Sequence, residues 1–229
     1  MLECSNVKVY DLYESVIASG NAMRTEMTEY NKEEFDKGIK RMIRLVNASK
    51  NSDVKCHDNA LTGIRVSFDI KYPQYWTPEF QRYNFADIVT SSSKMHKLMS
   101  IDLDFACNKY VPAIFVDEMK KLINKYKTIK EDDNFISQTF LFRDGNLINV
   151  RNKQEALYIA FMQCISACPL GLELFMRVST NYKQLQTIYY QRKNHKLKED
   201  WGAFCKMIEE LPYFNELILG KDVNNGETN

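Results

Sequence analysis

Ile64, Val66, Phe68 and Ile70 alternate with Arg65, Ser67 and Asp69. A period of two is the signature of a strand with one face buried and the other in water. Tyr72-Pro73 closes the run, because proline has no N–H for the next ladder position. Such a strand must find partners and must lay its apolar face on something. A short strand at 7–10 and an apolar hairpin within 140–150, turned at Asp144-Gly145, supply further β structure. The covering layer is helical. Asn31 and Glu34 have capping-box spacing, and Phe35, Ile39, Met42, Ile43 and Val46 follow on one helical face toward Ala48. Val116, Met119, Leu122, Ile123 and Tyr126 make a second amphipathic helix after Pro112. Helices are also predicted at 12–24 (broken near Gly20), 154–168, 181–190 and 201–211. Thr77-Pro78-Glu79 reads as a helix start, with that helix running on toward Ile88. The expected class is α+β, several helices packed on a modest, largely antiparallel sheet.

At 229 residues, with 45% hydrophobic and 27% charged side chains, the chain fits one domain over 1–220 with a frayed tail at 221–229. Its net charge of +1 argues against a bulk polyanion such as nucleic acid, so any basic site must be local. No apolar run approaches the roughly 18 residues of a membrane span. The N-terminus has no basic and apolar leader pattern, and the scattered cysteines read as reduced thiols, so the expected location is the cytoplasm. Cys164 and Cys168 lie four apart without a second ligand pair, so no metal site is expected. Cys56, between Lys55 and His57, is a possible thiolate nucleophile that no further signature supports.

The positive charge gathers late. From Arg177 to Lys198 there is no acidic residue, and Lys183, Arg192, Lys193, Lys196 and Lys198 fall in that span. This is either a solvated basic helix face or an anion site built from mixed donors. The run Ser91-Ser92-Ser93-Lys94 offers hydroxyls and a lysine at one junction, as phosphate sites do, or is an ordinary polar loop.

Taken together these landmarks resemble the flavin-dependent thymidylate synthase family, whose motif is RHRxxSxxxxSxR. Arg82 stands at its first position, Ser92 at its second serine and Lys94 at its last arginine. The family's upstream histidine, placed before a strand, is matched by His57. Its later pattern is a Leu-Pro before a helix, then an asparagine, a basic residue two on and an arginine eleven on. Pro169, Asn181, Lys183 and Arg192 follow it. The resemblance covers 57–94 and 169–201.

The resemblance implies a pyrimidine deoxynucleotide, dUMP, as partner, FAD as cofactor and methylene-tetrahydrofolate as one-carbon donor in a homotetramer. Glu79, Ser92, Lys94, Lys183 and Arg192 would face the substrate, with Arg192 catalytic at the uracil ring. His57, Arg82 and Asn181 would lie on the flavin side. The departures are specific. Tyr83 and Asn84 replace His-Arg, Asp87 replaces the first serine, and Ile165 replaces an arginine four before the proline. Glu79 replaces a glutamine, and an acid there repels phosphate. Lys94 lacks the bidentate fork of arginine. This pattern fits a divergent relative, of phage or mobile-element origin. The rival expectation is a nucleotide-binding or interaction module that kept the fold and lost the flavin.

Overall fold

The computed structural model describes residues 2–51 and 57–223. Cys56 and the end of the tail from 224 lie outside the described residues. In chain order the strands are β1 (Glu3–Tyr10), β2 (Arg65–Pro73), β3 (Asp87–Ser91), β4 (Gln138–Leu141), β5 (Leu147–Val150) and β6 (Glu173–Asn181). The helices are α1 (Leu12–Ala18), α2 (Lys32–Asn51), α3 (Thr77–Phe80), α4 (Lys94–Lys97), α5 (Leu103–Ala106), α6 (Ala113–Glu131), α7 (Lys153–Ala167), α8 (Tyr182–Arg192) and α9 (Lys198–Glu209). The class is α+β, as the sequence predicts. The chain forms two compact units. One contains the residues up to Tyr72, then Trp76–Ser91 and everything from Phe175 on; the other contains Pro73–Tyr75 and Ser92–Leu174.

The first unit holds a four-stranded sheet in the order β1-β2-β6-β3. β1 pairs antiparallel with β2, and β3 with β6. The Tyr182 N–H donates to the Ile64 carbonyl at 3.0 Å, so the end of β6 meets the start of β2 and these strands also run antiparallel. Alternation does what β2's sequence promised: Val66, Phe68 and Ile70 are buried, and Arg65, Ser67 and Asp69 are not. The outward row is laced by charge. Arg177 Nη1 donates to Asp69 Oδ1 at 3.0 Å and Arg65 Nη2 donates to the Ser179 hydroxyl at 3.1 Å.

Helices α8 and α9 bring Leu185, Ile188, Trp201 and Phe204 into the same core. Trp76 stacks on Phe80 at 4.7 Å and meets Trp201 at 4.8 Å, and Phe68 meets Phe204 edge-on at 5.7 Å. Aromatic pairs at these separations contribute beyond their buried area. The capping box is real at its first member, since Asn31 Oδ1 accepts the Glu34 N–H at 2.9 Å.

The second unit is built from α6 packed along α7, the β4–β5 hairpin and short connecting turns. The hairpin turns at Gly145, whose φ of 85° suits glycine. Asn152 caps α7 by accepting from the N–H groups of Gln154 and Glu155.

Several expectations need correction, among them the first strand, which starts at Glu3 rather than Val7, and the helix at 12–24, which ends at Ala18. The helix predicted to run from Thr77 toward Ile88 stops after one turn at Phe80, and Asp87–Ser91 is a strand instead. A turn with the Ala86 N–H on the Tyr83 carbonyl separates them. Asp-Ile-Val-Thr-Ser is rich in β-branched residues, and long-range pairing with β6 decides its state. Its register shifts between Ile88 and Thr90, a bulge on an exposed edge. A further correction is at α2, which extends to Asn51 rather than ending near Ala48.

Candidate functional site

The first unit carries a cleft of about 400 Å³ lined by Arg82, Tyr83, Asn84, Phe85, Gln184, Thr187, Gln191 and Arg192. One wall is the face of α8 that carries Gln184, Thr187, Gln191 and Arg192. Arg192 lies over the Trp201 ring, its guanidinium carbon 4.6 Å from the centroid, and 5.7 Å from the centroid of the Tyr83 ring. Its Nε donates to the Tyr83 hydroxyl at 2.7 Å and its Nη1 to Glu79 Oε2 at 3.1 Å. The Tyr83 hydroxyl in turn donates a hydrogen bond to Gln191 Oε1 at 3.0 Å. Burial pushes the Tyr83 phenol above its ordinary value, while the Arg192 hydrogen bond pulls it the other way.

Glu79 Oε2 gathers several donors at once. Besides Arg192 it accepts from Trp201 Nε1 at 2.8 Å, and His195 Nε2 stands 3.5 Å away. The Leu197 N–H donates to His195 Nδ1 at 3.2 Å, which leaves the ring proton on Nε2, facing the carboxylate. Glu79, Arg192, His195 and Trp201 come from α3, the end of α8, the following turn and the start of α9. In the sequence Glu79 and Arg192 stand out by the resemblance, and the convergence of all four on one oxygen is invisible there. Tyr83, met in the sequence only as a departure from the motif, turns out to hold the arginine. Arg82 also lines the cleft, is exposed, and makes no hydrogen bond or ion pair among the described residues.

The first turn of α8 holds a second cluster. Asn181 is buried and caps the helix, its Oδ1 accepting the Gln184 N–H at 2.8 Å. Lys183 Nζ reaches both oxygens of Asp58 at 2.7 Å. Asp58 is 1% exposed and also accepts from the Ser49 hydroxyl at 2.7 Å. His57 precedes this buried acid in sequence. It is exposed and borders a cavity of about 350 Å³ with Ser15, Ser19, Leu45 and Thr62. Lys183 thus meets Asp58, the neighbour of His57, at the end of α8 that Asn181 caps, and Arg192 meets Glu79 at the other end. Lys183 and Arg192 are about 14 Å apart along the axis, at 1.5 Å per residue.

Ser92 and Lys94 belong to the second unit. Ser93 caps α4 by accepting the His96 N–H, and Ser92 directly precedes that cap. Lys94 Nζ donates to Gln74 Oε1 at 3.2 Å. Among the described residues there is no cluster of His, Cys, Asp and Glu fit for a metal ion, and no helix long and apolar enough to cross a membrane.

No protein-family model and no curated protein matches the chain. Solved structures do. Flavin-dependent thymidylate synthase ThyX from Helicobacter pylori, complexed with FAD and dUMP, is similar to 95% of this chain over 96% of its own, at 16% identity and a TM-score of 0.55. A second ThyX structure from Helicobacter pylori with FAD and dUMP covers the same shares at 15% identity and a TM-score of 0.58. At these identities the likeness is one of fold. The backbone is thus similar to structures of the family that the spaced residues of the sequence resemble.

Proposed function

We propose that the chain is a divergent flavin-dependent thymidylate synthase-like protein that binds a pyrimidine deoxynucleotide, dUMP being the first candidate. The observation that carries this reading is Arg192, held by Tyr83, Glu79 and Trp201 on the wall of an open cleft within a ThyX-like fold. A guanidinium so fixed costs little ordering entropy when it donates to a ring carbonyl, and it stabilises negative charge that develops on the ring. Arg82, Asn84 and the carboxamides of Gln184 and Gln191 offer further donors along the same cleft.

For FAD the fit is divided. Arg82 and His57 are exposed and able to meet an anionic or ring-bearing group. Asn181 does not fit a cofactor contact, because its side-chain oxygen is committed to the helix cap in a buried position. Bound FAD would supply reducing equivalents for transfer of a one-carbon unit from methylene-tetrahydrofolate. The residues above would bind and orient the nucleotide.

The test is Arg192→Ala with dUMP affinity measured by calorimetry. Loss of a charge-assisted hydrogen bond predicts weakening by about 2 kcal/mol or more. A variant that binds as tightly as the parent overturns the reading.

A second reading is favoured by Asn181 and Lys183, both committed to internal partners: a nucleotide-binding or interaction module that has lost the flavin. It predicts that protein incubated with FAD and desalted shows no flavin absorbance while still binding dUMP. A retained flavin band rejects it.

A further inference from the structure

We propose that Glu79 is a specificity-determining residue: a built-in carboxylate that saturates Arg192, so that this end of the cleft takes a neutral, carbonyl-bearing ring edge and turns away an anionic group. The proposal deepens the reading of the cleft as a nucleotide site and rests on it.

The geometry is that of a salt bridge already made. Arg192 spends Nε on Tyr83, Nη1 on Glu79 and one face on Trp201, and its side chain is 13% exposed. A phosphate or carboxylate seeking this guanidinium would have to displace Glu79. It would then leave the carboxylate with only the indole N–H of Trp201 and the imidazole of His195. Two anions would share one cation at contact distance, an arrangement that like-charge repulsion opposes. Arg192 Nη2 makes no hydrogen bond among the described residues, and a carbonyl oxygen suits it without bringing charge. The neighbouring polar groups are neutral as well. Gln184 accepts the Phe85 N–H and Gln191 accepts from Tyr83, so each keeps its amide N–H groups for a ligand. Arg82 is the contrast inside the same cleft, a guanidinium with no acid beside it among the described residues. The cleft is thus polarised, self-neutralised at Arg192 and positive at Arg82. The sequence shows only that an acid stands at this position. The structure shows which cation it matches.

The experiment follows the Arg192 side-chain Nε–Hε resonance, held by the Tyr83 hydroxyl, in the full chain. Inorganic phosphate is titrated into the parent and into Glu79→Gln. Glutamine preserves the shape and can still accept from Trp201, but it removes the charge. In the parent, phosphate should leave the Arg192 signal in place. In Glu79→Gln, phosphate should move it and bind about tenfold more tightly, as expected of a charge-assisted contact newly available. A phosphate-dependent shift at Arg192 in the parent overturns the proposal, as does a folded Glu79→Gln whose phosphate affinity is unchanged. Should the variant not fold, the parent alone decides: uncharged deoxyuridine should move the Arg192 signal, and movement by phosphate but not by deoxyuridine overturns the proposal. If neither dUMP nor deoxyuridine binds, the nucleotide reading fails, while the phosphate titration still judges Glu79 by itself.

Discussion

Lys183→Ala is the substitution whose outcome the structure constrains most tightly. Lys183 is the cationic partner of Asp58, with both carboxylate oxygens at 2.7 Å from its ammonium. Asp58 is buried and its only other side-chain donor is the Ser49 hydroxyl, among the described residues. Removing one partner of a buried pair leaves an uncompensated charge, which typically costs 3–5 kcal/mol. The Lys183 side chain is 28% exposed, so water reaches part of the pair, and the Ser49 hydrogen bond survives. The expected loss is therefore near the lower end, about 3 kcal/mol. Urea unfolding measures it, read as a fall in midpoint at constant slope. Asp58→Asn in the Lys183→Ala background should recover a substantial part, because the stranded charge is gone. That recovery, analysed as a double-mutant cycle, separates a pairing effect from lost packing. A loss below about 1 kcal/mol, as for exposed pairs, would refute the reasoning. The resemblance assigned Lys183 to substrate. If that is its main role, nucleotide affinity should drop while stability stays put.

Other substitutions probe the rest of the frame. Asn181→Ala removes the side-chain cap of α8 and should cost about 1 kcal/mol in the same unfolding assay, with Asn181→Asp nearly neutral. Gly171→Ala places a Cβ against Val111 Cγ2 and 2.9 Å from Asn108 Oδ1, so about 1–3 kcal/mol should be lost through overpacking, read by thermal melting. Burial pushes the Cys164 and Cys205 thiols up to about 11. A raised thiol value favours the folded state while both forms are neutral, so this contribution is complete below the ordinary value near 9. It is lost as pH rises through about 11. Unfolding followed across that range should show stability falling with pH, and native-state alkylation at neutral pH should be slow until denaturant is added.

What the sequence revealed follows from range. β2 is read correctly because burial on one face writes a period of two into neighbouring residues. The turn at Gly145 and the cap at Asn31 are equally local. β6 is written less plainly: Met176, Val178 and Thr180 alternate with Phe175, Arg177 and Ser179, but polar side chains at Thr180 and Asn181 stand at buried positions and blur the apolar period. That charge is not one surface. Arg177 lies on a strand and meets Asp69, Lys183 meets Asp58, and Arg192 meets Glu79. Each acid comes from more than a hundred positions earlier in the chain, so a composition window sees cations without their partners. The site residues could be named from spacing; whether their charges were already matched required the fold.

The bulge in β3 bears on how the protein behaves at high concentration. β3 is one of the two edge strands of its sheet, every residue of it is exposed, and it contains neither lysine nor proline. A flat edge of that composition is a template on which another chain can add its own strand. The slip in register at Val89 interrupts the evenly spaced row of donors and acceptors and twists the edge away from a straight ladder. Excising Val89 is expected to smooth this edge and to raise self-association at high concentration, read by light scattering.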